Sequence, residues 1–273
     1  TKRSTASFLL KQLYIVYSLS MSKFKSVLIT GASSGIGAAI AKNLAAPGVF
    51  LALAGRNFLR LERVTNACRD TGAIVNSKVI DVRNQKDVNE WILSLDSTQK
   101  FDLVIANAGV SSNTSGIDDK DKQKRYMIET NIFGTFSTIE TIVPQMEERG
   151  YGTIGVVSSL AGFRGLPSAP IYSATKAWAR SYGEALRGSL LSKGIHVSVI
   201  CPGFVSSRIT DYNNFYMPLK KEPFEAANII IKGLEKQKAR IAFPVTLYYL
   251  MIILSIIPPS LIDTALSWLP KKE

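Results

Sequence analysis

Short apolar runs alternate with amphipathic stretches along the chain from residue 26 to about residue 205. Each run holds four to seven residues rich in Val, Ile or Leu, as in strands covered on both faces. The stretches between them place apolar residues at helical spacing. The pattern predicts an α/β fold, a doubly wound parallel sheet with helices on both faces. The predicted strands are Ser26–Thr30, Val49–Ala54, Ile74–Ile80, Leu103–Ala106, Thr153–Ser158 and His196–Cys201. The predicted helices are Ala38–Ala46, Phe58–Gly72, Gln85–Ser94, Lys122–Arg149 and Tyr172–Ser192.

The two ends of the chain differ from this alternating part. Because no internal repeat and no Pro/Ser-rich linker interrupts residues 24–240, we interpret them as one domain. Residues 1–23 form a basic and apolar N-terminal extension, and residues 241–273 form an apolar C-terminal extension. The first predicted strand begins shortly after Met21, which makes Met21 a candidate start of the working protein. An N-terminal membrane anchor stays open, whereas export is disfavoured.

The C-terminal extension opens with 22 uncharged residues, 241–262. As a helix, the thirteen residues Val245–Ile257 reach about 20 Å, short of the ~30 Å hydrocarbon core of a membrane. We therefore predict a helical segment that does not span a membrane. Contact with a membrane surface, a cover over a substrate site and packing against a second subunit all stay open. The basic residues that flank the segment and suit lipid phosphates are Lys232, Lys236, Lys238, Arg240, Lys271 and Lys272.

Charge and composition narrow the classes of function. Of 273 residues, 33 are Lys or Arg and 21 are Asp or Glu, a net charge of +12. No nucleic-acid-binding motif accompanies this charge, so we predict no nucleic-acid partner. A single His196 and two distant cysteines, Cys68 and Cys201, predict neither a metal site nor a disulfide scaffold. They suit a reducing compartment, and we predict a cytoplasmic protein that is at most peripheral at the cytoplasmic membrane face.

A glycine-rich turn follows the first predicted strand. Residues 30–37 read Thr-Gly-Ala-Ser-Ser-Gly-Ile-Gly, and a helical pattern begins directly after them. A strand, a glycine turn and a helix N-terminus form a phosphate cradle, because unpaired backbone N–H groups and the helix dipole face the anion. The alternative is that the glycines only close a turn. The candidate cofactor-binding residues are Gly31, Ser33, Ser34, Gly35, Ile36 and Gly37.

The end of the second predicted strand is where a dinucleotide site meets the adenosine ribose, and the sequence there is Ala54-Gly55-Arg56. An acidic residue at this place accepts hydrogen bonds from the ribose 2′-hydroxyl, whereas an arginine pairs with a 2′-phosphate. Arg56 therefore favours NADP(H) over NAD(H). The alternative is a solvated charge at the start of a helix.

Three polar residues follow the fifth predicted strand. Ser159 lies at its end, and Tyr172 and Lys176 share one helix face because they are four residues apart. A free phenol has a pKa near ~10, and an adjacent ammonium favours the phenolate, so we expect Lys176 to lower the pKa of Tyr172. Tyr172 then acts as acid or base, while Ser159 hydrogen-bonds a substrate carbonyl oxygen. The alternative is an ordinary pair on a helix surface.

Together these motifs resemble those of the short-chain dehydrogenase/reductase family, in its single-domain, NADP-preferring form. The likeness covers roughly residues 24–240, with Thr30–Gly37 similar to the family's TGxxxGxG turn. Two departures are Ala106, where the usual NNAG has its first Asn, and Ser207, where many relatives have Thr. Further matching residues are Asp81 and Val82 at the adenine, Asn107, Ala108 and Gly109 after the fourth strand, the catalytic set Asn131, Ser159, Tyr172 and Lys176, and Pro202, Gly203, Val205 and Ser207 at the nicotinamide.

The resemblance implies a Rossmann-type fold and reversible hydride transfer between the nicotinamide of NADP(H) and an alcohol or carbonyl. It implies that Lys176 binds the ribose hydroxyls as well as tuning Tyr172, and that Asn131 positions a water in a proton relay. It also implies a homodimer or homotetramer, paired through the helices at 122–149 and 172–192.

The segment Ser206–Pro223 lies where the family carries a mobile lid over the substrate. Its Tyr212, Phe215, Tyr216 and Met217 favour an apolar small-molecule substrate, unless these side chains simply pack on the core. We therefore predict an NADP(H)-dependent oxidoreductase acting on a lipid-, steroid- or ketoacyl-like carbonyl or alcohol. A non-catalytic nucleotide-binding scaffold and a membrane-interface interaction protein stay open as alternatives.

Overall fold

The computed structural model describes residues 22–112, 116–212 and 215–267. In this part of the chain seven parallel strands form one sheet in the order β3-β2-β1-β4-β5-β6-β7. From β1 the chain adds strands towards one edge of the sheet as far as β3, and it then returns to the other side of β1 with β4 and adds the later strands towards the other edge. This order confirms the doubly wound, Rossmann-type prediction. The strands are β1 (Ser26–Thr30), β2 (Phe50–Gly55), β3 (Ile74–Val79), β4 (Leu103–Ala106), β5 (Gly152–Val157), β6 (Ile195–Pro202) and β7 (Arg240–Phe243).

Helices cover both faces of the sheet. Successive β1 side chains alternate between the two cores, with Val27 and Ile29 in one and Leu28 in the other. Ile40 and Leu61 pack in the first core, as the spacing of apolar residues on their helices requires. The helices are α1 (Gly35–Leu44), α2 (Phe58–Arg69), α3 (Gln85–Gln99), α4 (Lys120–Ile128), α5 (Gly134–Arg149), α6 (Pro170–Leu190), α7 (Arg208–Asp211), α8 (Pro223–Glu235), α9 (Val245–Ile256) and α10 (Pro259–Ser267).

Two details differ from the sequence-based expectation. The predicted single helix 122–149 is interrupted by a π-helical turn, Glu129–Phe133, which separates α4 from α5. A helical pattern of apolar residues is nearly the same on both sides of one widened turn, so periodicity does not reveal it. The predicted domain boundary at residue 240 falls inside β7, which pairs with β6 up to Phe243. Because β7 has only four residues, it carries a weak strand signal.

The apolar segment after β7 forms α9, in agreement with the predicted helix. In the described residues, none of the helices is both long and apolar enough to cross a membrane. Lys236 and Lys238 precede β7 whereas α9 follows it, so these lysines lie at the opposite end of the strand from α9. The predictions for residues 1–21, for Lys271 and for Lys272 lie outside the described residues.

Candidate active site

A cavity of about 390 Å³ opens at the carboxyl ends of the strands, where the sheet order reverses between β1 and β4. Parallel strands end at the same edge, so residues far apart in sequence meet there. All predicted site residues except Gly37, Asp81 and Asn131 line this cavity. Those that do are Gly31, Ser33, Ser34, Gly35, Ile36, Arg56, Val82, Asn107, Ala108, Gly109, Ser159, Tyr172, Lys176, Pro202, Gly203, Val205 and Ser207.

The glycine turn brings backbone close to the cavity. Gly31 has a φ of +69°, a conformation that favours glycine, and a Cβ there would lie 2.7 Å from the Cα of Ala108. A Cβ at Gly37 would lie 2.5 Å from the Gly31 carbonyl oxygen, so Gly37 allows close packing behind the turn. Ser34 precedes α1 without a side-chain cap bond, so first-turn N–H groups of α1 are available to an anion.

Hydrogen bonds from Asn107 join the segment after β4 to this turn. Its Nδ2 donates to the carbonyl oxygens of Thr30 and Gly31 at 3.0 and 3.1 Å. The backbone N–H groups of Asn107 and Ala108 both donate to the Thr30 hydroxyl oxygen, at 3.2 and 3.3 Å. This network joins the ends of β1 and β4, so replacement of the first Asn of NNAG by Ala106 leaves the connection intact.

The cavity is basic where β2 ends. Arg56 lies over the ring of Tyr126, with 5.1 Å from Cζ to the ring centroid, and also lines the cavity. Asp81 lies beside the cavity, where its carboxylate pairs with Arg83 at 2.9 Å. Burial opposes ionisation of Asp81, but the hydrogen bonds from Arg83 outweigh it and hold the pKa of that carboxyl below its ordinary value. Among the described residues, the cavity lining contains no Asp or Glu.

The Tyr172 hydroxyl is hydrogen-bonded to Ser159 at the inner end of the cavity. Burial raises the pKa of Tyr172, and the Ser159 hydrogen bond offsets only part of this effect. The expectation that Lys176 lowers the pKa of Tyr172 is therefore wrong for this structure. The Lys176 Nζ lies 5.8 Å from the Tyr172 ring centroid and donates instead to the Val157 carbonyl oxygen at 2.9 Å.

Lys176 is a buried amine, with 6 % of its surface exposed. Loss of hydration disfavours the ammonium and lowers its pKa to about 8. Its backbone carbonyl accepts a 2.6 Å hydrogen bond from the Ser158 hydroxyl, which fixes this part of α6 against the end of β5. The side-chain Nζ and the backbone carbonyl of Lys176 are thus both hydrogen-bonded to the end of β5.

Asn131 lies in the π-helical turn and is buried outside the cavity lining. Its Nδ2 donates to the Val110 carbonyl and to the Thr175 hydroxyl, both at 3.0 Å, while its Oδ1 accepts from the Val110 N–H at 2.8 Å. These contacts connect the segment after β4 with α6. The water relay implied by the resemblance stays a prediction.

One side of the cavity is apolar. Leu247 and Met251 of α9 line it together with Phe215, so α9 forms part of the cavity wall, while its predicted role as a cover over a substrate site stays a prediction. Sequence reasoning did not assign these α9 residues because the uncharged run looks alike on all sides. Two cavity arginines, Arg60 and Arg208, were not predicted from the sequence, although Arg60 is four residues after Arg56 and Arg208 directly follows Ser207.

Comparison with known proteins agrees with this geometry. The sequence model of the short chain dehydrogenase family matches residues 25–215. An uncharacterised oxidoreductase of Myxococcus xanthus is 37% identical over 243 residues, which cover 89% of this chain and 96% of that protein.

Two solved structures show the same fold. A short-chain dehydrogenase from Sphingobium yanoikuyae in complex with NADPH has a TM-score of 0.75 at 24% identity, over 91% of this chain and 97% of its own. A 3-oxoacyl-[acyl-carrier protein] reductase from Brucella melitensis with bound NAD has a TM-score of 0.72 at 25% identity, over 85% of this chain and 95% of its own. From the matched sequence model, the relative and the shared fold, the chain belongs to the short chain dehydrogenase family and is an oxidoreductase.

Proposed function

We propose that the protein is an NADP(H)-dependent reductase, or alcohol dehydrogenase, for an apolar carbonyl or alcohol. The observation that carries this proposal is the shared cavity: a Ser159–Tyr172 pair at one end, a glycine turn beside it and Arg56 at the other end. Structural neighbours bind NADPH or NAD, which supports a nicotinamide cofactor. The described part of the cavity lining holds no acidic residue, which favours the form with a 2′-phosphate.

The residues present fit such a cofactor. Backbone approaches the cavity at Gly31, where a side chain would collide with Ala108, and the N-terminus of α1 lies behind it to hold the pyrophosphate. We expect Arg56 to pair with the 2′-phosphate, and Lys176 to bind the ribose hydroxyls of the nicotinamide side. When bound, the nicotinamide supplies or accepts the hydride at the substrate carbon.

Tyr172 is the proposed acid and base. In reduction, its hydroxyl donates a proton to the substrate oxygen while Ser159 hydrogen-bonds the same oxygen. Because burial raises the pKa of Tyr172, the phenol is protonated at neutral pH and ready to donate. Once the proton has left, the Lys176 ammonium, whose Nζ lies 5.8 Å from the Tyr172 ring centroid, would stabilise the phenolate.

An apolar substrate suits the walls beyond this pair. Apolar side chains from four segments line that side of the cavity: Leu160, Leu166, Phe215, Leu247 and Met251. A sugar-like substrate would leave its hydroxyl groups without hydrogen-bond partners against such walls, at a cost in affinity. Lipid-, steroid- and ketoacyl-like carbonyls meet this requirement.

We also propose that the outer face of α9 lies on a membrane surface at the cytoplasmic side. Tyr249, Ile253 and Ile256 are 59%, 53% and 76% exposed on the side opposite the cavity. An apolar face of this kind beside the cavity would let a lipid-like substrate enter from the bilayer. A homo-oligomer is a further proposal, supported by the exposed Phe133 and Phe136 near the start of α5.

The test of the proposed function is titration of the purified protein with NADPH and with NADH at equal ionic strength, followed by turnover measurements. The substrate panel is a medium-chain ketone, a steroid ketone, a 3-oxoacyl thioester and, as polar control, a ketose. We expect tighter binding of NADPH and turnover of at least one apolar carbonyl in preference to the ketose. Binding of neither cofactor contradicts the proposal, and tighter binding of NADH contradicts the role of Arg56.

A further inference from the structure

Three arginines from three different elements line the same end of the cavity. Arg56 follows β2, Arg60 lies in the first turn of α2, and Arg208 is the first residue of α7. In the ranges that the structure describes, no Asp or Glu shares this lining, and the nearby Asp81 carboxylate is paired with Arg83. Like charges gathered in a partly enclosed space repel one another unless an anion lies among them.

Arg60 has an unfilled hydrogen-bonding position. Its Nε is buried and has no hydrogen-bond partner in the part of the chain that the structure describes. Its backbone N–H donates to Oδ1 of the helix cap Asn57 at 2.9 Å, which fixes where its side chain leaves α2. Burial lowers the pKa of Arg60 and the charge of Arg208 lowers it further, so these two guanidinium groups lie close enough to repel. An oxyanion is the partner that meets both requirements.

Arg208 lines the same cavity from another element, the start of α7. The preceding residue, Ser207, contacts the glycine turn: a Cβ added at Gly35 would lie 3.2 Å from the Ser207 Cβ. Ser207 begins α7 and its N–H donates to the Thr210 hydroxyl at 2.8 Å, so the start of α7 is fixed beside the turn. Arg208 therefore belongs to the segment that continues to Phe215 on the substrate side.

We propose that Arg60 of α2 and Arg208 of α7, together with Arg56, bind a phosphate group of the nicotinamide cofactor. This inference rests on the proposed function, since it takes its ligand from there, and it adds two residues that determine cofactor affinity.

The experiment measures dissociation constants of NADPH and NADH by titration calorimetry for the wild-type protein, Arg208→Gln and Arg60→Gln. Lys220→Gln is the matched control, because Lys220 is an exposed cation of the same segment outside the cavity lining. Loss of one charge-assisted hydrogen-bonding group weakens binding by roughly tenfold or more. We expect this loss in both arginine variants and wild-type affinity in the control. Arg208→Lys, which keeps the charge but not the fork, should fall between them.

Comparison of NADPH with NADH shows whether an arginine binds the 2′-phosphate, which only NADPH carries, or the pyrophosphate, which both carry. A loss confined to NADPH assigns the arginine to the 2′-phosphate, and an equal loss for NADPH and NADH assigns it to the pyrophosphate. Wild-type affinity for both cofactors in Arg208→Gln, with an unchanged Tm, overturns the role of Arg208. Failure of the proposed function would look different, because then the wild-type protein itself would bind neither cofactor.

Discussion

The side-chain amide of Asn131 donates a 3.0 Å hydrogen bond to the Thr175 hydroxyl, which joins the π-helical turn to the helix that carries Tyr172 and Lys176. The same amide pairs with both backbone groups of Val110. Three segments that meet at the cavity are thus connected through one buried side chain. The placement of the proposed acid depends on a residue that does not line the cavity.

Asn131→Ala should destabilise the protein, because the buried N–H and C=O of Val110 lose their partners. The expected loss is about 1–3 kcal/mol in the free energy of unfolding, measured by urea denaturation. Asn66→Ala on the exposed face of α2 is the control and should stay within about 0.5 kcal/mol of wild type. Equal stability of the two variants would show that the Asn131 contacts contribute nothing.

Because Lys176 is buried, we expect its amine to make the free energy of unfolding depend on pH. Burial lowers its pKa to about 8 in the folded protein, whereas the unfolded chain keeps the ordinary 10.5. Between these values the unfolded chain binds more protons, so Lys176 makes the free energy of unfolding rise as pH increases. Relative to Lys176→Met, the wild-type protein should gain up to about 3 kcal/mol over this window.

Urea denaturation of both proteins at the two ends of the window measures this gain. Comparing the two proteins removes the contribution of other titrating groups, such as the Cys68 thiol, whose pKa burial raises to about 11. Parallel pH curves for wild type and Lys176→Met would mean that the amine is not desolvated as described.

The inner face of α9 should determine affinity for the substrate. Leu247→Asn puts an amide into the apolar wall and should lower kcat/KM for an apolar carbonyl by about 10-fold to 200-fold, with NADPH affinity unchanged. Leu250→Asn on the outer face of the same helix is the control and should keep wild-type kcat/KM. The same decrease in both variants would assign the effect to disturbance of α9 and not to the cavity wall.

The outer face of α9 predicts binding to lipid. The double variant with Ile253→Ser and Ile256→Ser should float less with vesicles of phosphatidylcholine and phosphatidylglycerol than the wild-type protein does. Leu93→Ser, an exposed apolar position on α3, should leave flotation unchanged. No flotation of the wild-type protein, or equal flotation of all three, rejects membrane contact by α9.

Much of the fold could be predicted because its signals are local. Apolar runs such as 103–106 and the glycine turn at 30–37 have the same physical meaning wherever they occur in a chain. The π-helical turn at Glu129–Phe133 and the short β7 have no such signal, since each depends on its tertiary neighbours.

The same distinction applies to the site residues. Residues at strand ends, such as Ser159, can be predicted to meet because parallel strands end at one edge of the sheet. Arg60 and Arg208 do not, because their side chains meet only after α2 and α7 have packed around the cavity. The pKa of Tyr172 could not be predicted from spacing either, since burial is a property of the whole fold and here it outweighs the hydrogen bond from Ser159.

The most direct test of the account is Tyr172→Phe, assayed with the apolar carbonyl that the wild-type protein turns over. The variant keeps the ring and loses only the hydroxyl that donates the proton, so kcat should fall by about 10²-fold to 10⁴-fold. The dissociation constant of NADPH should stay at its wild-type value. Wild-type turnover in Tyr172→Phe would contradict the assignment of Tyr172 as the acid and base.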